Sequence, residues 1–247
     1  MISYESITNK AEVLGSFTGL SRYRRPESVR FNMHIDHLVW YCADLAEGGR
    51  YFAERMDQTP AYGGVHPGEG TGNRLLSLSD TAYLEILGRD PAQPESSVSP
   101  EIRKLKGHGL YHWAIGGVDL SALRVRVRAA GWKGSDLVEG GRALPDGRRL
   151  RWTCFGLNEH PFGALVPFFI DWMESEHPAK TAPRGGRFKS IEAASPDAKK
   201  LRELYRLLGL EIGVTDAASP ALHATIESGK GEHVLRMFDP VPQGYVI

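Results

Sequence analysis

An α+β fold made of repeated βαβββ modules is what this chain of 247 residues predicts. Three stretches begin alike: Ile35 to Tyr41 leads to Asp44, Leu110 to Ile115 leads to Asp119, and Phe188 to Ala194 leads to Asp197. His37 precedes Asp44 by seven residues (44 − 37), and the same step separates His112 from Asp119 and Ser190 from Asp197. Each run is apolar or aromatic and strand-like, and each aspartate can cap a helix by accepting bonds from its first free amides. Behind each aspartate, apolar residues recur at helical spacing: Leu45, Phe52 and Met56, then Leu120, Leu123 and Val127, then Leu201, Leu204, Tyr205 and Leu208. The copies start 75 and 78 residues apart (112 − 37 and 190 − 112), beyond the roughly 20 to 50 residues of stacked repeats, so they read as duplicated modules.

Taken in order, residues 1–32 are polar and read as an N-terminal extension, which can serve as an arm clasping a partner subunit. The first module occupies 33–90. After its helix, the glycine-rich segment from Ala61 to Arg74 reads as a strand that becomes a wrapped loop. A phosphate loop would need a Lys-Ser or Lys-Thr end and a helix behind it, whereas strands follow here, Leu75 to Leu78 and Ala82 to Leu87, joined by a Ser79-Asp80-Thr81 turn. No nucleotide cofactor is therefore expected. Residues 91–107, with three prolines, form a linker.

The second module covers 108–174, with strands expected at 136–143, 150–155 and 164–170 and a Pro145-Asp146-Gly147 hairpin turn. A charged linker, 175–187, leads to a third, degenerate module at 188–247, with strands at 211–215, 221–227 and 233–238. Ser190 stands in the histidine slot there, so this unit is expected to pack on the first two or to build a subunit contact.

Lys plus Arg equals Asp plus Glu, 30 against 30, so no charge imbalance points to nucleic acid or an anionic membrane. A small-molecule or protein partner is expected instead. Only Cys42 and Cys154 are present, too few for a disulfide framework, and no apolar run reaches the roughly 20 residues of a bilayer span. A cytoplasmic protein is the simplest expectation.

His37 and His112 share one slot in the first strand of two modules, so pairing about a pseudo-twofold axis would let their imidazoles meet across a shared cavity. Glu85 is a carboxylate within the apolar run Tyr83-Leu84-Glu85-Ile86-Leu87, on the face opposite Leu84 and Ile86. Two imidazoles and a carboxylate suit a divalent metal, Fe, Mn, Zn or Ni. Equally, a histidine that begins a strand is often only a hydrogen-bonded structural residue, and Glu85 can face solvent.

The segments Ile35-Asp36-His37-Leu38, Gly63-Gly64-Val65-His66-Pro67, Gly70-Thr71-Gly72-Asn73-Arg74-Leu75-Leu76 and Tyr83-Leu84-Glu85-Ile86-Leu87 resemble the glyoxalase-like branch of the vicinal oxygen chelate superfamily, as does Pro167 to Trp172. The resemblance spans residues 34–173. It implies βαβββ modules paired into a curved mixed sheet that forms a cup, with metal ligands from the first and last strands of each module. His37, Glu85 and His112 match three such positions. The fourth falls near Phe168, where no carboxylate stands.

On this resemblance the chain is expected to be an isomerase, lyase or oxygenase that polarises an oxygen-bearing substrate, with Glu85 and His66 as its acid–base groups. The alternative is a metal-free protein that binds a small molecule in the same cup. Asn73 and Arg74 either line the cup or tie down their own loop, and Arg151, Trp152 and His160 are open in the same way. Trp40 and Trp113 are cavity walls or ordinary core. A homodimer fits either function.

Overall fold

A computed structural model of the chain describes residues 32–66, 69–94, 96, 98, 100–143 and 147–238. The N-terminal extension up to residue 31, the Pro145-Asp146 half of the hairpin turn and the tail after Pro240 lie outside the described residues.

The first module runs β1 (His34–Cys42), α1 (Leu45–Arg55), β2 (Ala61–His66), β3 (Thr71–Ser77) and β4 (Tyr83–Arg89). Asp44 caps α1, its carboxylate accepting from the amides of Ala46 and Glu47. Met56 is fully buried but stands just past the helix, where the chain turns extended. The glycine-rich stretch is more regular than its composition suggests. β3 starts at Thr71 because it is held on both sides, by β2 and by β4, and that pairing overrides the low strand preference of glycine.

The second module runs β5 (His108–Gly116), α3 (Leu120–Ala129), β6 (Val138–Ala143), β7 (Arg149–Phe155) and β8 (Phe168–Asp171), after a short helix α2 (Pro100–Lys104) in the segment expected to be pure linker. Pro100 opens that helix at a position where a missing amide costs nothing. The last strand is shorter than expected. Pro167 has no amide to give a ladder, and residues 163–165 form a 3-10 turn before it.

The two modules make one sheet of eight strands in the order β2-β3-β4-β1-β5-β8-β7-β6, parallel at β1/β4 and β5/β8 and antiparallel where β1 meets β5. At that central seam lie two bulges. Asp36 is the extra residue of β1 and Tyr111 the extra residue of β5, and each immediately precedes its module's histidine. Beyond the seam the sheet curls into a cup, so that β2 and β6, at opposite ends of the strand order, approach each other. One face carries the main core, including Leu38, Trp40, Leu84, Ile86, Trp113 and the helices, and the other faces the cup.

The C-terminal unit contains β9 (Arg187–Ser195), α4 (Ala198–Leu208), β10 (Gly213–Asp216), β11 (Ala221–Ser228) and β12 (Gly231–Arg236). Its element order repeats that of the modules, but its sheet runs β10-β9-β11-β12, so the strand after the helix lies beside the first strand instead of at the far edge. This unit packs on the others. The Tyr205 hydroxyl donates to the Leu165 carbonyl at 2.5 Å, and Arg126 on α3 donates to the Leu208 carbonyl at 3.2 Å. Among the described residues no helix is long and apolar enough to cross a membrane.

Candidate functional site

Strand alternation brings His37, Asn73, Tyr83, Glu85, His112 and Phe168 to the concave face, around a cavity of about 180 Å³. Glu85 is only 9% exposed, which settles the question its alternation left open. Its Oε1 accepts a 2.7 Å bond from Asn73 Nδ2, and its Oε2 faces His37 Nε2 across 3.7 Å. That gap is longer than a hydrogen bond. A carboxylate oxygen and an imidazole nitrogen thus stand side by side at ion-pair distance with no hydrogen bond between them.

His37 is oriented from behind. Because Asp36 sits in a bulge, its side chain escapes the usual alternation and comes within 2.6 Å of His37 Nδ1. Asp36 also accepts from Trp172 Nε1 at 3.0 Å and lies 3.0 Å from His177 Nε2. Burial opposes its charge, but the bonds to His177 and His37 prevail and hold its pKa down to about 2. With Nδ1 committed to a carboxylate, Nε2 of His37 is the nitrogen that meets the cavity.

His66 lies at the end of β2, with Nδ1 3.0 Å from Thr71 Oγ1 and Nε2 3.2 Å from Asn73 Nδ2. Both ring nitrogens are therefore used in aligning Asn73 on Glu85, and Nε2 is 3.6 Å from Glu85 Oε1. His66 also lines the cavity, with its ring tied to Thr71 and Asn73. Asn73 lines the cavity and also, through His66, ties down its own loop.

In the second module, His112 Nδ1 lies 3.1 Å from the Trp113 carbonyl oxygen and 3.0 Å from the Trp113 amide nitrogen. Burial pushes its pKa down to about 4, so the ring is neutral near pH 7. Tyr111 occupies the bulge position equivalent to Asp36 and offers no carboxylate, so His112 leans on backbone where His37 leans on an acid. Phe168 packs against both imidazoles, its ring centroid 5.3 Å from each.

Other expected site residues lie elsewhere. Trp40 is on the core face, stacked at 5.9 Å on Tyr51 and edge-on to Phe52 of α1. Trp113 is fully buried in the core and donates to the Ala164 carbonyl. Arg74 runs under Gly49 of α1 and donates to the Pro60 carbonyl, so it ties down its own region of chain. Arg151 is exposed and paired with Glu139, whereas Trp152 does line the cavity. His160 is not among the lining residues. Sequence reasoning missed Asp36, His177, Trp172 and Arg142. Asp36 was hidden by alternation, which assigns it the opposite face from His37, and His177 by its place in an apparent linker.

The donor chemistry fits a divalent cation. His37 presents Nε2 with Nδ1 bonded to a carboxylate, His112 is neutral, and when its Nδ1 proton goes to the Trp113 carbonyl, Nε2 carries the lone pair. Glu85 keeps one oxygen free of the Asn73 amide. These donors are not gathered, however: among the described residues no group of three His, Cys, Asp or Glu side chains stands at metal-holding distances.

A family model described as a glyoxalase-like domain matches residues 35–209. No curated protein matches the chain. Among solved structures, a hypothetical protein from Staphylococcus aureus is 14% identical, with a TM-score of 0.59 and 87% of each chain covered, which shows a shared fold. Methylmalonyl-CoA epimerase from Mycobacterium tuberculosis is 20% identical over 55% of this chain and 84% of its own, with a TM-score of 0.38. A mutant 4-hydroxymandelate synthase from Streptomyces coelicolor is 15% identical over 82% of this chain and 62% of its own, with a TM-score of 0.48. The last two overlaps are too loose to bear on the chemistry.

Proposed function

Because this chain belongs to the glyoxalase-like domain family of the vicinal oxygen chelate superfamily, we propose that it is a small-molecule enzyme whose reaction takes place between His37 and Glu85 in the cup. The observation that carries this reading is the 3.7 Å gap between His37 Nε2 and Glu85 Oε2, held open from both sides. Asp36 fixes the imidazole and Asn73, itself held by His66, fixes the carboxylate. Such bracing costs freedom that a merely structural pair would not need, and it supports a site built for a third party.

His37, Glu85 and His112 would hold a divalent metal, which when bound supplies Lewis-acid polarisation of a substrate oxygen. The chain's own residues do the rest. Trp152, Trp172 and Phe168 wall the cavity and limit water at the reacting oxygen, and Glu85, through an oxygen not engaged by the metal, would take up a substrate proton. The reaction is an isomerisation, elimination or oxygenation of an oxygen-bearing compound.

Titration with Co(II), followed by visible absorption, tests this. The reading requires ligand-field bands that saturate near one equivalent and are absent in Glu85→Gln and His112→Ala variants with unchanged circular dichroism. Wild-type protein that gives no bands would contradict it. A second reading, a metal-free binding protein on the same fold, is favoured by Phe168, which stands where a fourth ligand is expected and packs its apolar ring against both histidines. It requires ligand binding that chelation leaves unchanged.

A further inference from the structure

Arg142 lies on β6, at the far end of the sheet from β2, yet its guanidinium reaches Gly64 of β2 across the opening of the cup. A Cβ on Gly64 would stand 2.5 Å from Arg142 Nη1, and Gly64 adopts a φ of +143°, a backbone that side-chain-bearing residues rarely take. The strand on one side has been left without a side chain, and the arginine from the other fills that place.

Arg142 is 6% exposed and lines the cavity, and its Nη1 is buried with no hydrogen-bond partner. Among the described residues no carboxylate forms an ion pair with it. A buried guanidinium is costly to leave uncompensated, and arginine cannot shed its proton to escape that cost. A bound anion would supply the missing partner.

We propose that Arg142 is the anion-recognising residue of the cup and that the substrate is a small carboxylic acid with an apolar or aromatic body. The inference rests on reading the cup as a substrate site. A carboxylate matches the guanidinium fork in two-point fashion. A phosphate dianion fits less well, because Glu69 and Glu85 line the same cavity and a single arginine would face two negative charges beside them. The volume of about 180 Å³ is below the roughly 300 to 1,000 Å³ of drug-sized ligand sites, which limits the acid to about one ring. Tyr111, Trp152, Phe168 and Trp172 supply the apolar walls for that body.

The probes are 2-oxo-2-phenylacetate and its neutral amide, which share shape and both vicinal oxygens and differ in charge. Binding is measured by calorimetry on the full chain as purified and again after chelation, for wild type, Arg142→Gln and Arg142→Lys. The acid should bind the wild type at least about tenfold more tightly than the amide, with and without chelation, as expected for one charge-assisted pair. Arg142→Gln should abolish that preference and Arg142→Lys should keep part of it. Equal binding of acid and amide, no binding of the acid, or a preference that survives Arg142→Gln would overturn the inference. A preference that disappears on chelation but not in Arg142→Gln would assign the charge recognition to the metal and overturn it too. A preference lost in Arg142→Gln but insensitive to chelation would uphold Arg142 even where the metal reading fails.

Discussion

Asp36 and His37 are sequence neighbours on one strand, yet their side chains meet, with Oδ1 2.6 Å from Nδ1. Ordinary alternation would place them on opposite faces, and the bulge at Asp36 removes that separation. The same carboxylate engages Trp172 and His177, so one buried acid ties β1 to the segment after β8 and aims an imidazole at the cavity.

Replacing Asp36 with Asn removes a charged acceptor and leaves buried donors poorly matched, which should lower stability by about 1 to 3 kcal/mol. The pH dependence has a definite sign. The folded pKa of about 2 is below the ordinary 3.8, so the stabilisation is fully present above about pH 4 and is lost as pH falls towards 2. Urea unfolding of chelated protein should show this acid limb in the wild type and not in Asp36→Asn. Identical pH profiles would disprove the linkage.

Gly63 leaves room for the Asn73 amide: a Cβ there would stand 2.3 Å from Asn73 Oδ1 and 2.9 Å from Leu75 Cγ. Gly63→Ala should push the amide off Glu85 and weaken Co(II) affinity about tenfold, the usual effect of losing an outer partner of a ligand. Asn73→Ala should match it. Wild-type affinity in both would show that the amide does not hold the carboxylate for binding.

The Tyr205 hydroxyl joins the C-terminal unit to the cup modules through the Leu165 carbonyl. Its removal in Tyr205→Phe should cost about 1 to 3 kcal/mol in denaturant unfolding, because the bond is buried. A change below about 0.5 kcal/mol would mean that apolar packing alone, such as the Trp113–Tyr205 ring contact, holds the unit in place.

Burial pushes the thiols of Cys42 and Cys154 up to about 12. Thiolate is the reactive form, so at pH 8 the folded protein should resist iodoacetamide for hours and take up two labels once denatured. Rapid labelling of folded protein would contradict the burial of both sites.

Much of the architecture was legible because it rests on local signals. The three Asp caps and the helical stripes behind them were read directly, and so was the shared histidine slot. What stayed hidden depends on exceptions to period or on distance. The bulges at Asp36 and Tyr111 break the alternation that sequence reading assumes. The pairing of β2 and β4 with β3 regularises a glycine-rich stretch that composition marks as loop. Trp40 and Trp113 flank the histidine positions in sequence and for that very reason lie on the other face of the sheet. Arg142 could not be found from its neighbours, since what gives it meaning is Gly64, 78 residues earlier (142 − 64).

On the proposed function, His37 and Glu85 stand apart to receive a metal. This is tested most directly by the metal content of the full chain, purified without an affinity tag or chelator, in wild type and in a folded His37→Ala variant. A near-stoichiometric divalent metal is expected in the wild type, and its loss in the variant. Protein that takes up no metal even after incubation with iron, manganese, zinc or nickel, or a variant that retains the wild-type content, would contradict it.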